Sequence, residues 1–456
     1  MYAMHSMHIT LTPRGAEIPK DPCVISKVKT DLVVRPFAPL DPWPKKYSVY
    51  VEFPDCFVVP VHWALNTYPD ADIKDTRPAP DPAPRLIFQG VLQDGLRQGE
   101  AVGAVQQEWA SQGGAMLCLG TGMGKTVTAL YLACTLKLKT LVVVHKTFLK
   151  DQWRARAAHF IPHARITEVQ GDVCDVSGDI VIAMVQTLAS RKYVCPGFGL
   201  LIVDEAHHWA APHISQSMFG LCTPYRLALT ATPQRADKLD RVVSWFLGPV
   251  AFSAAREQGG KTRVRFVSYS SDGYRMPPPV NRRGDLDYTG VVSMLVEDTA
   301  RTQMLIDQTA SLVSEGHDVL VLSHRRGHCT DIAQGLVSRG IDAATYLGGD
   351  KNTPDARVLV ATYSLTSEGF DCPRLSALVM ATPGSNVEQA CGRVMRGASR
   401  DAVIIDVVDQ WGICFAQAAK RRALYRRHGF AYESKSPENV PENDPSSVAF
   451  AFVDEV

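Results

Sequence analysis

Short, uniformly apolar runs alternate with amphipathic stretches through most of the chain. From residue 86 this pattern predicts helix 100–112, strand 115–119, helix 125–136, strand 140–144, a helix near 149–159, and strands 179–184, 199–203 and 226–229. A second series starts near residue 262, with strands 263–268, 318–322, 357–361, 377–381 and 402–406 and helices 298–315 and 329–339. Apolar strands alternating with helices predict parallel sheets covered on both faces. The fold class is therefore α/β, with two parallel-sheet lobes in tandem.

The flanking segments read differently. Residues 1–75 are rich in proline and aromatics, with strand-like runs at 47–53 and 56–61, and predict a small N-terminal β or α+β accessory module for substrate recognition. Residues 76–85, TRPAPDPAPR, read as a stiff, extended linker. The expected divisions are 1–75, 76–85, a first lobe over 86–250, a second over 251–432, and a mobile polar tail over 433–456. Segment 271–290 reads as an exposed loop interrupting the second lobe.

Composition narrows the class. Hydrophobic residues make up 46% and charged residues 21%, the balance of a soluble globular chain. No run of about 18 apolar residues is present, so no membrane span is expected. The start, MYAMHSMHIT, lacks a basic region followed by an apolar core, and no secretion signal is expected. The 11 cysteines form no CxxC pair, which argues against a zinc ribbon or disulfide framework and for a reduced, cytoplasmic setting. Lys plus Arg number 48 and Asp plus Glu 47, a net charge of +1, so any nucleic-acid surface must be a local groove.

Two motifs carry chemistry. After strand 115–119 comes Gly120-Thr121-Gly122-Met123-Gly124-Lys125-Thr126 and then a helix. Glycines let the main chain wrap phosphate oxygens, and amide N–H groups with the helix N-terminus supply positive potential. Lys125 would reach the β- and γ-phosphates of ATP, and the Thr126 hydroxyl would ligate Mg2+. Strand 199–203 ends in Asp204-Glu205-Ala206-His207. Asp204 would hold Mg2+, and Glu205 would orient and deprotonate the attacking water. His207, His208 and His213 also permit a metal site, but no fourth ligand stands at a suitable spacing, and His207 fits better as part of the acidic box.

With these residues in place, the chain resembles superfamily 2 helicases of the DEAH-box, XPB-like kind, including recombination-type helicases of phages and large DNA viruses. The resemblance covers most of residues 86–430 and implies RecA-like lobes with ATP hydrolysed in the cleft between them. Leu119 departs from the general P-loop pattern, which has Gly there, but fits a Leu-x-Thr-Gly-x-Gly-Lys-Thr form that helicases use. Residues 141–146 with 148–153 are similar to motif Ia, 179–188 to motif Ic, 229–233 to motif III, 319–326 to motif IV, 361–362 with 368–371 to motif V, and 389–396 to motif VI.

The resemblance also implies roles. Arg393 and Arg396 would neutralise developing charge on the γ-phosphate. Gly369 and Asp371 would touch the nucleotide. His207, Thr230, Thr232 and Gln389 would couple the motifs. Lys146, Thr147, Gln152, Gln186, Thr187, His324, Arg325 and Thr362 would grip nucleic acid, mainly at phosphates. Gln98 is the candidate for reading adenine, although Arg97 directly before it disturbs the LRxYQ wording; Gln93 and a plain helix-start role for Gln98 are the alternatives. Basic residues 420–422 and 426–427 read as a solvated helix face rather than a nucleic-acid contact. The expected activity is an ATP-dependent DNA helicase acting as a monomer in recombination, repair or replication, in the host cytoplasm if phage-encoded. RNA is a possible track. A duplex translocase that does not separate strands, and a non-hydrolysing clamp, are the alternatives.

Overall fold

The computed structural model describes residues 7–37, 44–120, 122–191, 197–231, 238–254, 262–275, 277–281, 284, 286–347, 354–363, 372, 374–384, 387, 390–391 and 401–433. The chain divides into two compact units, Met1–Arg256 and Glu257–Val456. Each contains a large, mainly parallel sheet, as the apolar strand pattern predicts, while the N-terminal sheet of the first unit is mainly antiparallel.

The N-terminal residues of the first unit form β1 (His8–Thr12), β2 (Gly15–Pro19), α1 (Pro22–Asp31), β3 (Val33–Val34), β4 (Tyr47–Ser48), β5 (Val51–Glu52), β6 (Cys56–Val59), α2 (Val61–Thr67) and β7 (Asp72–Asp75). Five of these strands make a sheet in the order β5-β6-β2-β1-β7. The remainder of the unit is α3 (Gln98–Gln112), β8 (Gly114–Leu119), α4 (Lys125–Leu136), β9 (Thr140–Val144), α5 (Thr147–Phe160), β10 (Ile166–Gln170), β11 (Val173–Cys174), β12 (Ile180–Met184), α6 (Val185–Arg191), β13 (Leu200–Val203), α7 (Pro212–Ser217), β14 (Tyr225–Thr230), α8 (Asp240–Leu247) and β15 (Val250–Ala254). Its eight strands run β11-β10-β12-β9-β13-β14-β8-β15.

Period-2 alternation of these buried strands sends Leu117, Val142, Ile202 and Leu229 to one face, packed on α3, α4 and α5. Met116, Val143, Val203 and Ala228 point to the other. There they share one core with Ile9, Ile18, Val28, Phe57 and Trp63 of the N-terminal sheet and its helices. The N-terminal residues therefore cover a face of the first large sheet instead of standing apart as an accessory module. Buried Arg226 pins the junction, donating to the Gln112 carbonyl at 2.9 Å and to His62 Nε2 at 3.3 Å.

The proline-rich segment is likewise no free linker. Its main chain pairs with the sheet, Ala83 N–H donating to Lys137 O at 2.8 Å and Lys139 N–H to Asp81 O at 2.9 Å. Arg85 clamps Asp179 with two bonds of 2.9 and 3.0 Å. Strand β15 pairs in parallel with β8, so the first lobe runs past residue 250. The hydrophobic pattern missed β10, β11 and β15. All three lie at or next to a sheet edge, where the alternation is short or half exposed.

The second unit comprises β16 (Arg263–Tyr269), α9 (Tyr288–Glu297), α10 (Thr299–Ser314), β17 (Val319–Ser323), α11 (Arg326–Val337), β18 (Ala343–Tyr346), β19 (Val358–Thr362), β20 (Ala377–Met380), β21 (Val403–Asp409), a helix over Gly412–Arg427 and β22 (Ala431–Tyr432). Its seven strands, all parallel, run β18-β19-β17-β20-β21-β16-β22. Asp298, expected inside a helix, instead caps α10 by accepting from Arg301 N–H at 2.9 Å. The described part of 271–290 is not simply an exposed loop. Tyr274 stacks on Trp411 at 5.3 Å and donates to Asp409 at 2.9 Å, and α9 begins at Tyr288.

The basic helix face is also corrected. Arg421 is buried and bonds Asp406 through Nη2 at 2.6 Å, while Tyr425 donates to the same carboxylate at 2.8 Å. Lys420, Arg426 and Arg427 stay exposed. No described helix is long and apolar enough to cross a membrane.

Candidate active site

Strands β13, β14 and β8 are neighbours in the first sheet, so the turns that follow them open on one carboxyl edge. The P-loop leaves β8 at Leu119. Gly122 and Gly124 take φ of +84° and +78°, conformations that a side chain would strain. Gly124 then caps α4, whose first-turn N–H groups have no side-chain acceptor at the cap. Lys125 is the first residue of that helix, and its ammonium donates to the Leu119 carbonyl at 2.9 Å. Thr126 follows in the same turn.

Gln98 is only 2% exposed and starts α3 beneath the loop. Its amide donates to Met123 O at 3.2 Å, and its carbonyl accepts Gln93 N–H at 2.9 Å. The carboxamide is thus committed to shaping the P-loop from below, and Gln93 contributes main chain, not side chain.

Asp204 ends β13, one strand from β14. Its N–H donates to Val143 O of β9 at 3.1 Å. Oδ2 accepts the Trp153 indole N–H at 2.8 Å, and Oδ1 accepts Glu205 N–H at 3.0 Å. Burial first, and the Glu205 charge second, push the Asp204 carboxyl up to about 6. Lys125 is near enough to pull it the other way. Glu205 holds φ +46°, a left-handed conformation uncommon outside glycine, which aims its side chain off the strand end. Its Oε2 is buried with no hydrogen-bond partner among the described residues. His207 Nδ1 lies 3.5 Å from that oxygen and 3.1 Å from Thr230 Oγ1.

This donor set fits a magnesium–nucleotide. The glycine turn forms a cradle, Asp204 and Thr126 carry oxygens of the kind magnesium takes, and the Glu205 carboxylate can accept a proton.

Next along the edge lie the residues expected to grip nucleic acid. Thr147, Gln152 and Gln186 are exposed, and Lys146 is half-buried at the head of α5. Gln186 donates to His145 O at 2.8 Å. Thr187 is not at the surface as expected. It is buried and accepts Gly171 N–H at 3.1 Å.

In the second unit, Thr362 is buried at the end of β19, which corrects its surface placement. His324 is half-buried and bonded to Thr382 Oγ1 at 2.8 Å, with burial pushing its ring down to about 4. Arg325 donates to Thr289 O at 3.1 Å. Tyr363 donates to Thr382 O at 2.7 Å and Arg421 to Gly384 O at 3.1 Å, so several groups hold the chain just beyond β20. Thr121, Thr232, Gly369, Asp371, Gln389, Arg393 and Arg396 lie outside the described residues.

In sequence Trp153 is visible only within the motif Ia stretch, and His207 and His208 only as box or metal-ligand candidates; the ring ladder of His145, His208 and His207, with centroids 4.4 and 4.1 Å apart, emerges only in the fold. A lone tryptophan in the polar helix α5 was the one available signal.

Residues 95–235 match the family of the type III restriction enzyme res subunit. A mimivirus protein described as an ATP-dependent RNA helicase is 26% identical over 423 residues, covering 88% of this chain and 81% of the relative. A helicase of Frog virus 3 is 29% identical, covering 71% and 76%, and a helicase of Escherichia phage T5 is 26% identical, covering 70% and 73%. Among solved structures, the SWI2/SNF2 ATPase core of Sulfolobus solfataricus in complex with double-stranded DNA is 15% identical, with a TM-score of 0.37, over 75% of this chain and 92% of that one.

Proposed function

We propose that this chain, an ATP-hydrolysing helicase of superfamily 2, is of the DEAH-box, XPB-like kind and uses ATP to move along and remodel DNA in recombination, repair or replication. The carrying observation is one sheet edge: the P-loop with Lys125, the Asp204–Glu205 pair, half-buried Lys146 and the exposed Thr147, Gln152 and Gln186 all follow adjacent or near-adjacent strands.

Thr126 and Asp204 would hold magnesium, whose charge would offset that of the triphosphate. Lys125 leaves the Leu119 carbonyl to meet the β- and γ-phosphates, while P-loop amides and the α4 N-terminus cradle them. Glu205 takes the proton of the attacking water on its carboxylate. His207 hydrogen-bonds Thr230 and so ties the hydrolytic turn to β14. Arg393 and Arg396 supply positive charge as the γ-phosphate departs. Lys146, Thr147, Gln152 and Gln186 bind phosphates of the track, with His324 and Arg325 as further contacts in the second unit.

The mimivirus relative is described as acting on RNA, so an RNA track is the second reading. ATPase rates with single-stranded DNA, duplex, forks, four-way junctions and RNA, measured side by side, decide between them. Stimulation by DNA structures above RNA is expected; stimulation by RNA alone replaces DNA with RNA. Fork unwinding compared with triplex displacement then separates a helicase from a duplex translocase.

A further inference from the structure

We propose that Trp153 is a positioning residue for Asp204, and that through it helix α5 passes the state of the nucleic-acid edge to the metal-binding carboxylate. The idea rests on the motor reading above and names the element that couples track to nucleotide.

Helix α5 is polar overall, and its buried residues are Trp153 and Ala157, one turn apart on the face against the sheet. Trp153 is 1% exposed. A buried indole needs an acceptor for its N–H. Most acceptors in a protein interior are backbone carbonyls; here it is the Asp204 carboxylate, at 2.8 Å. Among the described residues the Asp204 carboxylate accepts one hydrogen bond from Trp153 and one from Glu205 N–H, while its main-chain N–H donates to Val143 O of β9. The carboxylate is therefore registered to β9–α5 as much as to its own strand.

That segment also carries the track residues. Lys146 caps α5, Thr147 opens it, and exposed Gln152 directly precedes Trp153. A helix of this length moves as a rigid body, so a phosphate gripped at its head shifts Trp153 with it. Displacement by about 0.5 Å is enough to stretch a 2.8 Å bond beyond the good range. A second contact leaves the same corner. His145 lies against His208, His208 against His207, and His207 beside Glu205 and Thr230. Asp204 thus abuts the segment that meets the track, and Glu205 is linked to it through the rings of His207, His208 and His145.

The test substitutes Trp153→Phe, which keeps an aromatic ring and removes the N–H. The magnesium concentration for half-maximal ATPase should rise about tenfold, as befits losing a hydrogen bond to a charged group. Stimulation by single-stranded DNA should fall about fivefold or more. Calorimetry of magnesium–ATP binding supplies a readout apart from turnover. In an Asp204→Asn background, Trp153→Phe should cost nothing further, whereas a merely structural tryptophan would give additive losses.

The unsubstituted residue can also be watched directly. In protein labelled with 5-fluorotryptophan, the one of seven indole resonances that Asp204→Asn shifts most is Trp153, and it should move when a DNA oligonucleotide is added without nucleotide. Unchanged magnesium dependence and DNA stimulation in Trp153→Phe, additive losses with Asp204→Asn, or a Trp153 resonance indifferent to DNA would each overturn the proposal. If the wild type shows no stimulation by any nucleic acid, the motor reading fails instead, and magnesium dependence with the double substitution still judges the positioning role.

Discussion

Gln98 and Gly124 are in direct apposition: a Cβ added to Gly124 would stand 2.2 Å from Gln98 Nε2. With φ at +78°, Gly124 has both a conformational and a steric reason to be glycine. Gly124→Ala should therefore reopen the P-loop and weaken ATP binding about tenfold or more, by calorimetry, the combined strain being of order 1–3 kcal/mol. Because the Gln98 carboxamide is spent on Met123 O and Gln93 N–H, Gln98→Ala should raise KM for ATP and GTP by similar factors. A loss confined to ATP would make Gln98 the adenine reader.

Glu205→Gln should bind magnesium–ATP with near-native affinity and lose hydrolysis by at least about 100-fold, since an amide cannot take a proton from water. Rapid-quench measurement of a single turnover checks this. Turnover at the wild-type rate would remove Glu205 as the base.

His62 gives the first unit an acid sensitivity. Burial and then the Arg226 charge hold its ring down at about 3, below the ordinary 6.5. Its Nδ1–H donates to Gln112 at 2.9 Å while Nε2 accepts from Arg226. A folded value below the unfolded one means that the unfolded chain takes up the proton first as pH falls. The stability from neutral His62 is full above pH 6.5 and drains between 6.5 and 3. About 2 kcal/mol should go between pH 7 and pH 5. Urea unfolding of wild type and His62→Gln at the two pH values should show that much less loss in the variant.

Arg421 and Asp406 form a buried pair in the second unit, 1% and 0% exposed. Arg421→Met leaves the Asp406 carboxylate without its counter-charge and should destabilise that unit by about 3–5 kcal/mol in denaturant unfolding. The double variant Arg421→Met with Asp406→Asn should recover part of that loss.

Much of this arrangement was legible from the chain alone. The strands beneath the P-loop and the acidic box are four to six apolar residues bounded by glycine or charge, so β8, β9 and β13 came out within a residue of their true ends. What the pattern hid is tertiary. Whether Arg421 is solvated or buried depends on Asp406 arriving from another element, and helix periodicity does not report that. Thr187 and Thr362 look like surface hydroxyls by type, yet both are buried. The linker reading of 76–85 followed from its proline content, but main-chain pairing with Lys137 and Lys139 is invisible to composition. Trp153 stood in plain view as a hydrophobic residue, and only the fold shows that its acceptor is Asp204.

Phosphate release by wild type and Lys125→Ala, with and without single-stranded DNA, tests the central claim most directly. The wild-type rate should rise about tenfold or more on adding the oligonucleotide, as track binding favours the hydrolytic state, and Lys125→Ala should stay at background in both conditions. Hydrolysis by Lys125→Ala at the wild-type rate, or a wild-type rate indifferent to DNA and RNA alike, would contradict the account.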